Sequence, residues 1–336
     1  MNGKSILVTG ATGSFGKAFI KFLTKRYKKI KRLVIFSRDE LKQSEMAKVY
    51  DEKKYPFIRY FIGDVRDQKR LSRALNKIDI VIHSAALKQV PIAEYNPIEF
   101  IKTNILGAQN LIEASLNNNV SKVIALSTDK ACAPVNLYGA TKLCSDKLFI
   151  AANNYSGKNI FSVVRYGNVL GSRGSVLPLL MQYKNGGTFT ITSDEMTRFN
   201  ITLDQGVKAV DWALHNSNGG EILIPKIPSY KLVNLIEAVG LKNKPKIIGL
   251  RKGEKVHEEM ITEADSYTTY DIGKYFLILP DNEKSTLNRF KKKLKVFKKI
   301  PNNFSYNSRD NDQFLSTNEL KKMIAQAGNF KKSDVG

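Results

Sequence analysis

Apolar and polar positions fall in repeating blocks along the first half of the chain. Short apolar runs such as Ile6-Leu7-Val8 and Leu33-Val34-Ile35-Phe36 read as buried strands, and longer amphipathic stretches between them read as helices. The pattern predicts strands at 5–9, 32–37, 57–62, 79–83, 121–127 and 160–165, with helices near 14–28, 39–50, 67–76, 104–118 and 138–155. The first helix gathers Phe19, Ile20, Phe22 and Leu23 on one side. Strict strand–helix alternation implies an α/β fold, a Rossmann-like doubly wound parallel sheet with helices on both faces. Ligands of such a sheet bind at the carboxyl ends of its strands. After about residue 167 the pattern turns irregular, with Gly171-Ser172-Arg173-Gly174-Ser175-Val176, the turn Asn185-Gly186-Gly187, and Pro225 and Pro228. We therefore expect a Rossmann domain over 1–167 and, over 168–336, mainly a smaller substrate-binding lobe whose later segments can return to the sheet. No internal repeat is visible, and Lys331-Lys332-Ser333-Asp334 looks frayed.

The predicted strand ends collect the residues with chemistry. Gly10, Gly13 and Gly16 lie between the first strand and first helix in the order G-x-x-G-x-x-G, with Thr12, Ser14 and Phe15 among them. Backbone N–H groups at such a helix start can hold a pyrophosphate, and glycine lets it approach. The second strand ends in Ser37-Arg38-Asp39-Glu40-Leu41-Lys42. A dinucleotide site that selects NAD usually has a carboxylate there, whereas Arg38 and Lys42 suit a 2′-phosphate, so NADP is the expected cofactor. Asp39 could instead bond the ribose, and Arg38 and Lys42 could be merely solvated. Further strand ends carry Asp64-Val65, Ala85-Ala86-Leu87-Lys88, Ser127 to Lys130 and Tyr166-Gly167-Asn168-Val169.

Within seventeen residues, Ser127-Thr128-Asp129-Lys130 and Tyr138-x-x-x-Lys142 bring together hydroxyls, a carboxyl, amines and a phenol. Tyr138 and Lys142 share a helix face, and a cation beside a phenol favours the phenolate. A phenol lowered toward neutrality can take the proton of a sugar or alcohol hydroxyl while the carbon is oxidised.

Composition narrows the setting. With 336 residues, 42% of them hydrophobic and 25% charged, the chain suits a soluble α/β domain plus a smaller lobe. No apolar run approaches the ~20 residues of a membrane span. Met1-Asn2-Gly3-Lys4 leads straight into the first strand, so no signal peptide is expected. Cys132 and Cys144 make no disulfide framework; reduced thiols in a cytoplasm are the simplest reading. His83, His215 and His257 are far apart in sequence, and no metal set is expected; His83 reads as a packed, hydrogen-bonded side chain. The net charge of +23 and the run Arg289 to Lys299 could mark a nucleic-acid or membrane partner. No zinc spacing, recognition helix or aromatic RNA-binding signature accompanies them, so the run reads as a solvated face or weak peripheral contact. A positive field would also favour an anionic nucleotide substrate.

The glycine motif, Asn104 in Thr103-Asn104-Ile105-Leu106-Gly107, Ser127-Thr128 and Tyr138-x-x-x-Lys142 resemble the extended short-chain dehydrogenase/reductases that modify nucleotide sugars. More narrowly, Ser37 to Met46, Ala85 to Pro91, Ser127 to Lys130, Arg165 to Val169 and Gly253-Glu254-Lys255 resemble the C5-inverting UDP-N-acetylglucosamine 4,6-dehydratases of pseudaminic acid biosynthesis. Retaining sugar dehydratases carry Asp-Glu where this chain has Asp129-Lys130, and a related inverting group of capsule enzymes lacks the tyrosine. The resemblance implies a recycled NADP, UDP-N-acetylglucosamine as substrate, and a homo-oligomer such as a hexamer.

It also implies roles. Tyr138 would take the O4 proton, Thr128 would hydrogen-bond O4, and Lys142 would hold the nicotinamide ribose. Elimination across C5 and C6 then needs an acid and a base, Asp129 protonated and Lys130 neutral. Cofactor contacts are expected from Gly10, Thr12, Gly13, Ser14, Phe15, Gly16, Ser37, Arg38, Asp39, Glu40, Leu41, Lys42, Asp64, Val65, Ala86, Lys88, Asn104, Tyr138, Lys142, Val169, Arg173, Gly174, Ser175 and Val176. Substrate contacts are expected from Lys88, Asn168, Thr192, Arg251 and Glu254, with Arg173 and Arg251 suited to a diphosphate. Arg198 is a second-rank candidate, and Tyr306-Asn307-Ser308 resembles a family segment near the substrate. A retaining dehydratase or C4 epimerase on the same fold is the competing reading, which Lys130 argues against. A non-enzymatic NADP-sensing or nucleic-acid-binding protein is another, but such proteins commonly lose Tyr138 or Lys142.

Overall fold

A computed structural model describes residues 1–172 and 174–327. Arg173 and the Lys331-Lys332-Ser333-Asp334 tail lie outside the described residues. Six strands, β1 (Ser5–Thr9), β2 (Arg32–Ser37), β3 (Ile58–Ile62), β4 (Ile80–His83), β5 (Lys122–Thr128) and β6 (Ile160–Tyr166), pair in parallel in the spatial order β3-β2-β1-β4-β5-β6. All five residues of β1 are buried, as expected for a parallel strand covered on both faces. Helices α1 (Ser14–Arg26) and Leu203–Asn216 pack together on one face. Helices Gln68–Ala74, Gly107–Asn117 and Leu137–Ala151 pack in a row on the other.

The sheet does not stop at β6. Ile222–Pro225 adds in parallel, then Tyr275–Ile278, Thr269–Asp271 and Lys298–Lys299 continue it antiparallel to make ten strands. The remaining chain folds over the carboxyl ends of the strands. It carries a small sheet of Asn168–Val169, Thr197–Ile201 and Ser229–Lys231, a strand pair Glu259–Ile261 with Tyr306–Asn307, and a second core around Leu177, Leu180, Phe189, Tyr230 and Leu235. In the basic stretch, Lys284–Lys291 is a helix whose Phe290 is buried in the main core while its lysines face outward. Among the described residues no helix is long and apolar enough to cross a membrane.

The strand order reverses between β1 and β4, and their ends are locked together there. Thr9 Oγ1 and His83 Nδ1 are 2.9 Å apart, and the Ser84 hydroxyl donates to the Thr9 carbonyl at 2.6 Å. Burial, aided by the positive charge of Lys142, lowers the His83 imidazole to about 3, so it is neutral. The folded state therefore resists a proton that the unfolded chain accepts at the ordinary histidine value of 6.5. Stability contributed by this group is complete above pH 6.5 and is lost as pH falls toward 3. Denaturant titrations between those limits should show a loss of about 1.4 kcal/mol per pH unit that His83→Gln removes; an unchanged slope in the variant would place the acid sensitivity elsewhere.

Candidate active site

A cleft of about 1540 Å³ opens along the carboxyl ends of the parallel strands. One end is built for a dinucleotide. Gly10 leaves β1 with φ of 64°, and a Cβ there would lie 2.8 Å from the Ala85 nitrogen. At Gly16 a Cβ would collide with the Ala11 backbone, so that glycine lets α1 start hard against the strand end. Gly13 caps α1 without a side-chain hydrogen bond, and the first turn of α1 lines the cleft. This cradle fits a pyrophosphate. Farther along, Arg38 lies 3.5 Å from Asp64, Lys42 pairs with Asp39, and Asp39 also caps α2 (Glu40–Val49) through the Lys42 N–H. Both cations thus stand at the β2 end of the cleft with carboxylate partners.

The other end holds the acid–base groups. Helix Leu137–Ala151 begins with Asn136, whose side chain accepts from the Gly139 N–H at 2.8 Å and donates to the Gly253 carbonyl at 2.9 Å. A Cβ on Gly139 would collide with the Lys130 carbonyl. The absence of that carbon is what seats the turn Asp129–Ala131 against the helix that carries Tyr138. Beneath, the Ser127 hydroxyl donates to Asp146 at 2.6 Å, and Arg165 reaches the same carboxylate oxygen at 3.3 Å, tying β5, β6 and this helix together.

Asp129 is fully buried and accepts from the Thr128 hydroxyl at 2.9 Å and from Lys130 Nζ at 3.1 Å. Lys130 Nζ also lies 3.1 Å from Glu258 and donates to Asn168 at 3.2 Å. Burial, with repulsion from Glu258, raises the Asp129 carboxyl despite Lys130. Burial alone would lower Lys130, but Asp129 and Glu258 outweigh it and hold the ammonium above its ordinary range. Asp129, and after it Glu258, a second carboxylate absent from the sequence reading, thus favour the ammonium, which must shed a proton before Lys130 can serve as the expected base. Tyr138 likewise departs from expectation. Burial pushes its phenol up to about 12, opposed by Lys130 and a hydrogen bond with Thr128, not by Lys142. Lys142 Nζ donates instead to the Leu126 carbonyl at 2.9 Å, and burial lowers it.

A family model described as polysaccharide biosynthesis protein matches residues 6–280. The chain belongs to that family. The chain is 52% identical, over 98% of its length and 99% of the relative's, to a Campylobacter jejuni protein named UDP-N-acetylglucosamine 4,6-dehydratase (inverting). It is 40% identical, over 96% of this chain and 95% of the other, to a Rickettsia akari protein named UDP-glucose 4-epimerase. The solved structure of Pen from Bacillus thuringiensis shares 34% identity and a TM-score of 0.86, covering 97% of this chain and 98% of that one.

Most of the expected residues do line the cleft: Gly10, Thr12 to Gly16, Ser37 to Asp39, Lys42, Asp64, Val65, Ala86, Lys88, Thr128, Lys130, Tyr138, Lys142, Asn168, Val169, Gly174 to Val176, Arg251 and Glu254. Four do not. Glu40 and Leu41 sit on the outer turn of α2, with Leu41 71% exposed. Asn104 is buried, exchanging two 2.9 Å bonds with the Leu87 backbone and donating to Thr141 at 3.0 Å, so it braces the loop after β4 against the Tyr138 helix. Thr192 is buried with its hydroxyl 3.2 Å from Met196 Sδ. Arg198 lies in the cleft, donating to the carbonyls of Thr197, Lys255 and Val256 with Nε 3.7 Å from Glu258. Glu258 itself carried no signal in sequence, since it lies 128 positions after Lys130 and contacts it only after the later segments fold back. Of the cysteines, Cys132 is buried with a thiol pushed up to about 12 by burial, and Cys144 is exposed; both are free.

Gly139→Ala should displace the Asp129–Ala131 turn while leaving the sheet intact. We expect a stability loss of about 1–3 kcal/mol but near-complete loss of turnover, checked by thermal melts beside activity assays; full activity would show that the turn tolerates the shift.

Proposed function

We propose that the protein is a UDP-N-acetylglucosamine 4,6-dehydratase that inverts C5, a cytoplasmic hydro-lyase acting as a homo-oligomer with a tightly held NADP. The product would be UDP-2-acetamido-2,6-dideoxy-β-L-arabino-hex-4-ulose, a precursor for pseudaminic acid on flagellin or another surface glycan. The observation that carries this reading is the buried Asp129 3.1 Å from Lys130, which lines the same cleft as Tyr138. Oxidation at C4 alone needs only Thr128, Tyr138 and Lys142. An acid and a base side by side are needed for elimination. The 52% identical relative of that name supports the substrate assignment.

When bound, the cofactor supplies reversible hydride acceptance. Lys142 would hold its nicotinamide ribose, and Arg38 and Lys42 its 2′-phosphate. Tyr138 takes the proton of O4, with Thr128 hydrogen-bonded to the same oxygen. The resulting C4 ketone acidifies the C5 hydrogen. Lys130, once it has shed a proton, removes that hydrogen while Asp129 protonates the departing C6 hydroxyl. C6 ends the turnover as a methyl group and C5 is reprotonated from the opposite face, so net redox is zero. Lys88, Asn168, Arg251 and Glu254 line the space left for the nucleotide sugar.

The relatives named UDP-glucose 4-epimerase support a competing reading, C4 epimerisation. Proton NMR of the product from UDP-N-acetylglucosamine separates them. Dehydration with inversion gives a C6 methyl signal and the C5 coupling of the L-sugar, with flat absorbance at 340 nm. A product that retains its C6 hydroxyl, or stoichiometric accumulation of NADPH, would overturn the assignment. Cofactor choice is tested separately. Replacing Arg38 and Lys42 together with Ala should weaken NADP far more than NAD, by about 1.5–3 kcal/mol for each charged hydrogen bond lost; equal weakening, measured by titration, would assign these residues another role.

A further inference from the structure

Glu258 is 3% exposed and sits at the floor of the cleft. Its backbone is fixed from both sides: its N–H donates to the Ser308 hydroxyl at 2.9 Å, and its carbonyl accepts from the Ser308 N–H at 2.7 Å. Ser308 is held in turn by Thr197 at 2.7 Å, which gives the Tyr306-Asn307-Ser308 segment a place behind the site. One carboxylate oxygen meets Lys130 Nζ at 3.1 Å; the other is buried and, among the described residues, has no hydrogen-bond partner. Asp129 Oδ2 is in the same condition. One half-buried ammonium thus faces two buried carboxyl groups, and like charges so close are not both retained.

We propose that Glu258 is a positioning residue for the Asp129–Lys130 pair, holding Lys130 in the cleft and taking the proton that the ammonium must shed before it can act as a base. The inference rests on the reading of Lys130 as the C5 base. A proton passes from Lys130 Nζ to Glu258 Oε1, breaking one N–H bond and forming one O–H bond, with both groups left neutral. Lys130 then accepts the C5 proton and is an ammonium again, while Asp129 gives its own proton to the leaving hydroxyl, which departs as water. Return of the proton from Glu258 through Lys130 to Asp129 restores the start. Without Glu258 the only carboxylate in reach of Lys130 is Asp129, and a proton taken by the acid's ionised form leaves no separate store. At rest, burial raises Asp129, and Lys130 with Arg198 keeps Glu258 low despite its burial, which is the ion pair from which the transfer starts. The other groups facing the cluster are Tyr138, Tyr230, Lys88 and Lys255, each on a different segment.

Glu258→Gln keeps the size and an oxygen for Lys130 but cannot take the proton. In single-turnover assays on the holoenzyme, C4 oxidation, seen as transient absorbance at 340 nm, should persist while elimination slows by about 100-fold at neutral pH. Lys130 must then lose its proton to solvent, so the elimination rate should climb about tenfold per pH unit on the alkaline side, where the parent enzyme is flat. Glu258→Asp, which keeps a carboxyl, should recover part of the rate and flatten the profile. A Gln variant that eliminates at the parent rate with the parent pH profile overturns the inference, as does one that loses oxidation and elimination equally with no pH response. Lys130→Ala assayed in parallel separates the two layers. If it eliminates at the parent rate, the base assignment fails; if it stalls after oxidation while Glu258→Gln behaves as the parent, only the role of Glu258 fails.

Discussion

A single ammonium held between two buried carboxyl groups is the constraint on which this site turns. Lys130 and Asp129 come from the turn after β5, whereas Glu258 arrives from a segment that has crossed the top of the sheet. Desolvating any one of these charges alone would cost several kcal/mol. They are tolerated because each is in contact with an opposite charge or a polar group. Asn168 takes the remaining donor capacity of Lys130, and Arg198 stands behind Glu258. The cluster is therefore a joint between the parallel sheet and the chain folded over it, and the reactive pair exists in its observed state only when both are in place.

Glycine does for the backbone what this pairing does for charge. Gly10 and Gly16 bring the first strand, the loop after β4 and α1 into contact at the dinucleotide end. Gly139 brings the Lys130 carbonyl against the Tyr138 helix, and a Cβ on Gly167 would press on Phe199 and lie 3.4 Å from Asp129 Oδ2. Each removes a carbon where two segments must touch. The cost in backbone entropy is offset by helices that are buried along one face, as Phe19, Ile20 and Leu23 show on α1.

The parallel core was readable because its signals are local. Continuous apolar runs at β1, β2 and β4, broken by glycine or a capping residue, state both the strand and its end, and the cofactor end of the cleft follows from those ends. Asp39 shows the limit: the same carboxylate that sequence offers to a ribose is the cap of α2 and the partner of Lys42. Asn104 and Thr192 show another, since a polar side chain in a family motif gives no sign whether it faces ligand or braces backbone. Glu40 and Leu41 lie beside true lining residues but one helical step too far round. The antiparallel edge of the sheet and Glu258 were illegible for a different reason. Glu258 meets Lys130 from 128 positions away, and short strands such as Lys298–Lys299 carry no periodicity to read.

The same long-range cluster orders the proposed reaction. Tyr138 is too deeply buried to ionise readily, and the cation that most favours its phenolate is Lys130. While Lys130 is an ammonium the tyrosine is at its most acidic, which suits proton removal from O4. Taking that proton neutralises the phenolate, and one of the interactions holding Lys130 charged disappears. The lysine is then easier to deprotonate, just as the new C4 ketone makes the C5 hydrogen worth removing. A neutral Lys130 in turn no longer stabilises a phenolate, so Tyr138 holds its proton while elimination proceeds. Oxidation before elimination thus follows from a charge shared by the two steps, and does not require a moving lid or a second site.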